Sequence, residues 1–180
     1  NNPFEPADDS LPLLNDDLLK RLVLRAIVTL GGSKNFLGSE YYEDEGLAIF
    51  LGLPTQDEGI DEDNPYSRPE TQGRLRRMLA EVEAAPVEWD VLPALQENSA
   101  RLADLMGLDA LEQRLLEFAV ILHNHRFLGD ACDYMSGLSN QRLMHVLSVL
   151  LDVSPLEMRA ALAPKGRLTS SGLLTVDVNS

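Results

Sequence analysis

One cysteine and one tryptophan stand in the whole chain, and basic side chains are scarce: 15 Lys and Arg face 29 Asp and Glu, a net charge of -14. The lone thiol, Cys132, has no second cysteine to bridge to, which suits a reducing compartment, and the chain reads as cytoplasmic. No apolar run approaches the roughly 20 residues that cross a bilayer, so a membrane-spanning helix is not expected. Twelve glycines and ten prolines are too few for a collagenous or low-complexity chain. There is no initiator Met, basic leader or apolar leader before Asn1-Asn2-Pro3, and a strand-like run stands close to Ser180; both ends read as cuts within a longer protein.

What remains is an acidic chain with 44% hydrophobic residues, enough for one well-packed domain or two lobes sharing a core. The charge is uneven. Fourteen carboxylates fall in residues 1–65 against four bases, while residues 138–180 hold three acids and four bases. An acidic half repels phosphate backbones and the C-terminal part lacks a basic stripe, so nucleic acid is not expected as a partner.

Apolar periodicity is helical almost throughout. Leu18, Leu19, Leu22, Val23, Ala26, Ile27 and Leu30 make one stripe, with Asn15 or Asp16 to cap it and Gly31-Gly32 to end it. Further helices are predicted over about 40–51, over 69–85 with Pro69 in its first turn, and from Pro93 to about Met106. Asp109 and Glu112 have capping-box spacing before an apolar helix running to His123, expected to be the central one, and a short helix follows over about 127–135. Leu115, Phe118, Leu122, Leu143, Leu147, Leu150 and Leu162 are expected to meet in one core.

From Ser139 the pattern is helix, Asp152-Val153 turn, then a helix restarted by Ser154-Pro155-Leu156-Glu157. Arg167–Thr169 and Leu173–Val176 read as two strands about a Ser-Gly turn, which would add a wing to this helix-turn-helix. The fold class expected is therefore all-α with a small C-terminal β-hairpin. Its parts are an acidic helical lobe over 1–66 with a mobile loop over 55–66, a helical bundle over 67–137, and a winged-helix-like segment over 138–180. A DNA reader wants several Arg, Lys, Asn or Gln on its second helix; Glu157 and Arg159 are the only charged side chains there. Charge thus favours a packing or docking use over a transcription regulator with an acidic sensor domain, the alternative reading.

The strings Leu108–Ala119, Leu147–Asp152, Val153–Leu162 and Arg167–Leu174 resemble the helical and winged-helix region that precedes the ATPase module of bacterial AAA-family ATPases. The likeness covers about residues 100–178. It implies a non-catalytic region that regulates, or recruits a protein partner or substrate, by protein–protein contacts, attached to an ATPase module. It also implies ATP and magnesium bound by the parent protein, at a site beyond residue 180. A P-loop needs G-x-x-x-x-G-K-[ST] after a strand; Gly31-Gly32-Ser33-Lys34-Asn35 is the nearest approach and lacks both spacing and strand. Neither an enzymatic activity nor a cofactor is therefore expected of this chain alone.

Other constellations have plain structural readings. His123, His125, Asp130, Cys132 and Asp133 are metal-binding types, but residues two apart do not share a helix face, and the imidazoles suit a helix C-terminus. Glu40, Glu43, Asp44 and Glu45 lack the glycine turn of a calcium loop and read as a solvated face. Cys132 has no neighbours that would lower its pKa. Arg74, Arg76 and Arg77, the densest basic cluster, are expected to pair with the chain's own acids, with a partner's acidic patch as the sharper use. The candidate partner-binding residues are Asp57, Glu58, Asp61, Glu62 and Asp63, five carboxylates whose field would steer a basic partner.

Overall fold

The computed structural model describes residues 12–55, 66–135 and 139–174. Among them the chain is helical: α1 (Asp16–Leu24), continued by a π turn (Arg25–Thr29), then α2 (Ser33–Phe36), α3 (Glu45–Phe50) and α4 (Arg68–Ala84). These are followed by α5 (Pro93–Met106), α6 (Ala110–Asn124), α7 (Arg126–Asp133), α8 (Asn140–Leu151), α9 (Pro155–Ala161) and α10 (Arg167–Ser170). No described helix is long and apolar enough to cross a membrane.

Local chemistry sets most boundaries. The Asn15 side chain accepts from the Asp17 N–H at the start of α1, and Asp44 caps α3. Reciprocal capping boxes start α6, from Asp109 and Glu112, and α9, from Ser154 and Glu157. Pro93 and Pro155 occupy first helical positions, where a missing N–H costs nothing. Gly31, at φ +83°, turns the chain out of the π turn, and Gly32 lies so close behind that a Cβ there would stand 3.0 Å from the Ala26 carbonyl oxygen.

The centre of the molecule is α1 with its π turn, where α6 was expected. Leu22, Val23, Leu24, Ala26 and Ile27 are essentially inaccessible. Helices α4 and α7 pack on α1, and α2, α4, α7 and α8 pack on the π turn. A helix covered from several sides must be apolar on more than one stripe, which a single amphipathic pattern does not announce. One hydrophobic core runs from Leu14 through Leu75, Phe118 and Leu128 to Leu168, crossing all three expected segments. Leu115, Phe118, Leu150 and Leu162 belong to its buried part, while Leu122 and Leu147 are half-buried against it. Leu143 lies near the start of α8, outside that core and partly exposed.

The expected C-terminal β-hairpin is corrected. Arg167–Ser170 is a helical turn, Leu173 and Leu174 are not in a strand, and no strand occurs among the described residues; Thr175 and Val176 lie outside them. Leu168 is fully buried, and the Thr169 hydroxyl donates to the Ala163 carbonyl across 2.5 Å, closing the turn on itself. The Arg167 guanidinium donates to the Gly107 carbonyl at the end of α5. A segment so anchored has no edge to pair. The two helices of the expected helix-turn-helix are present as α8 and α9, joined through Asp152 at φ +53°, without a wing. Helix α8 packs on the π turn.

The second predicted helix is shorter than expected. An antiparallel bridge between Leu37 and Tyr42 occupies its first residues, and the helix begins only after Asp44. A like bridge, Leu14 to Val91, stitches the start of the chain to the connector between α4 and α5.

Candidate functional site

Helix α4 carries one side of a concave, cation-bearing surface. Pro69 and Glu70 favour its first turn, as the positive end of the helix requires, and Leu75 is its buried anchor. With Leu75 inward, Arg74, Arg76 and Arg77 stand outward and all three are exposed. Against the start of α4 lie the rings of Tyr42 and Tyr66, packed edge to face at 5.4 Å. These elements enclose an open cavity of about 580 Å³ between Pro54, Tyr42, Tyr66, Thr71, Arg74 and Arg77. A second concavity of about 520 Å³ shares Arg74 and Arg77 and continues toward Lys20 and Glu81.

Arg74 is held in place by donating from Nη2 to the Gly52 carbonyl at 3.0 Å, and Arg68 donates likewise to the Lys34 carbonyl at 2.9 Å. Among the described residues the ion pairs are Arg25–Glu83 and Arg126–Asp130, so the own-surface pairing expected for Arg74, Arg76 and Arg77 is not seen there. Burial pushes the Tyr42 phenol above its usual range, opposed by its hydrogen bond with Thr71 and by Arg74. Burial also raises the Tyr66 phenol, with Tyr42 adding to the rise and Arg68 opposing it. Both hydroxyls therefore keep their protons at neutral pH and can donate. Cations and hydroxyl donors on one concave face are the chemistry of anion binding.

The other expected residues fall elsewhere. Asp57, Glu58, Asp61, Glu62 and Asp63 lie outside the described residues, as does nearly all of the expected loop over 55–66. Asp44 is engaged as a helix cap. His123 is exposed in the last turn of α6, and His125 ends that helix with its ring 6.1 Å from Phe127. Asp130 pairs with Arg126, and no group of three metal-capable side chains gathers among the described residues. Cys132 is pushed up to about 12 by burial, with Asp133 adding to the rise. Ser33 and Lys34 are the first residues of α2, a one-turn helix after a helical element, so these residues do not fit a nucleotide's phosphates.

Sequence reasoning missed the buried charges. Arg25, 8% exposed, donates from Nε and Nη2 to both carboxylate oxygens of Glu83 at 2.6 and 2.9 Å, and from Nη1 to the Leu150 carbonyl at 3.0 Å. Glu117 takes donors from Trp89, Ser99 and Gln113. Arg25 stood next to an apolar stripe and signalled nothing, whereas the single tryptophan, with an indole N–H that needs an acceptor when buried, was a usable pointer to Glu117. No family model, curated protein or solved structure matches this chain.

Proposed function

We propose that this chain is a non-catalytic docking region that recruits a protein partner or substrate, attached to the ATPase module of a bacterial AAA-family ATPase. The observation that supports docking is the use made of buried charge. Arg25 joins the π turn to α4 and α8, Glu112 closes the cap of α6, and Glu117 joins α5 and α6 to the connector at Trp89. Arg25 and Glu117 are thus fastenings between elements and Glu112 a cap within one, while exposed charge such as Arg74, Arg76 and Arg77 is left to steer partners. Attachment to an ATPase rests on the resemblance of residues 100–178. The strings that carry it fall on α6, α8, α9 and α10, with a helical turn where a wing was expected.

Two experiments test the two halves. Reading the gene past the codon for Ser180 should reveal a strand followed by a P-loop; a stop codon there would end the ATPase attachment while leaving docking intact. Neutralising Asp57, Glu58, Asp61, Glu62 and Asp63 together should weaken capture of a basic partner and flatten its salt dependence. Capture indifferent to those changes but lost on Arg159→Ala would move the contact to the exposed side of α9.

A further inference from the structure

The groove along α4 has the opposite sign to the rest of the molecule. In a chain of net charge -14, Arg74 and Arg77 meet no carboxylate at ion-pair distance among the described residues, and they stand in the walls of both concavities. Lys20 adds a third cation at the far end. At the near end the buried Tyr66 hydroxyl meets no hydrogen-bond partner among the described residues, and an acceptor brought by a ligand would satisfy it.

We propose that this groove binds an extended acidic peptide segment of a partner protein. From Ser67 to Glu81 it follows α4 for roughly 21 Å, at 1.5 Å per residue, and six extended residues at 3.3 Å each span roughly 20 Å. A small oxyanion would leave most of that length empty. Arg74 and Arg77 are one helical turn apart, with side-chain origins separated by about 5–6 Å. Residues two apart on an extended strand share a face at about 6.6 Å, so an acid-x-acid pair matches the two guanidiniums. Glu70 lines the near cavity and Glu81 the far one, so carboxylates at either end of the peptide are repelled. The segment recognised is therefore acidic in the middle and uncharged at its ends. This goes beyond the docking role above and does not depend on an attached ATPase.

The test is fluorescence anisotropy of a heptapeptide, Gly-Ser-Glu-Ala-Glu-Ser-Gly, labelled at its N-terminus and amidated at its C-terminus, titrated with the whole chain at about 20 mM salt and again at about 300 mM. Saturable binding that weakens with salt is expected, and none for the matching peptide with two lysines. The double variant R74A/R77A should lose at least about 10-fold in affinity, R77E should abolish binding, and R76A should leave it unchanged, since Arg76 lines neither concavity. Circular dichroism on each variant checks that the fold survives. No saturable binding by the native chain, or an equal loss in R76A, would overturn the proposal. Complete displacement by about 1 mM inorganic phosphate would also overturn it, and would reassign the groove to small oxyanions.

Discussion

The indole N–H of Trp89 donates to the Glu117 carboxylate across 2.6 Å, and Glu117 is only 3% exposed. The Ser99 hydroxyl and the Gln113 amide donate to the other oxygen of the same carboxylate, and the Arg114 guanidinium lies 5.5 Å from the Trp89 ring centre. One charge thus ties the connector before α5 to α5 and α6, at a place where α5 has little besides α6 to lean on.

Glu117→Ala should leave three donors without an acceptor and cost about 3 kcal/mol of stability. Urea unfolding would show this as a lowered midpoint. Because Trp89 is the only tryptophan, its emission should shift to the red in the native variant. An unchanged midpoint and spectrum would mean that the network does not hold the connector.

The Arg25–Glu83 pair predicts a pH dependence. The Arg25 hydrogen bonds hold the Glu83 carboxyl below its ordinary value of 4.5, outweighing partial burial. Its folded pKa is thus below the unfolded one, so the stabilisation is fully present above about pH 4.5 and is lost as pH falls through the folded value. The Glu83 side chain is 37% exposed, so solvent screens the pair and the effect is modest. Melting temperatures of the native chain and Glu83→Gln should differ most near neutral pH and converge in acid. A difference that grows in acid would reverse the assignment.

Capping and termination were legible residue by residue: Asn15, Asp109, Ser154, Pro155 and Gly107 each act as their side chains or lack of one dictate. The phase of the central helix was not. A strict 3.6-residue stripe leaves Leu24 facing outward and Arg25 at its edge beside Leu18, yet both are buried, because α4, α7 and α8 approach this element from several directions. The C-terminal turn was misread for a related reason. Arg167-Leu168-Thr169 alternates as a strand would, and only the long-range contact with Gly107 and the depth of Leu168 show why it coils. The cations of the α4 groove were visible as a run in the sequence. That no carboxylate among the described residues comes within ion-pair distance of them follows from the packing, which the sequence does not show.

Leu24 and Leu147 test the corrected phase. Leu24→Ala empties a fully buried position between packed helices and should cost about 3–5 kcal/mol, whereas Leu147→Ala, half-buried on α8, should cost about half as much. Denaturant midpoints of the two variants, measured side by side, decide it. If Leu147→Ala proved the more damaging, α8 rather than α1 would be the centre of the core.

Cys132 offers a direct reading of how α7 is held. Burial, with Asp133 beside it, pushes the thiol up to about 12, so at pH 8 only about one molecule in 10,000 carries the reactive thiolate. Cys132 is half-buried against the core, Leu128 and Ala131 on the same helix are fully buried, and α7 packs on both α1 and the π turn, so uncovering the sulfur further loosens those contacts. Labelling by a disulfide reagent at pH 8 should therefore be slow in the native chain and complete within minutes in denaturant. In sub-denaturing urea the rate should report the opening of α7. If Leu24→Ala accelerates labelling by the same factor as it lowers global stability, then α7 opens only when the core does. An acceleration far smaller than that factor would mean that α7 peels away by itself. Stoichiometric labelling of the native chain within minutes would place the thiol in solvent and undo the packing of α7 on the π turn.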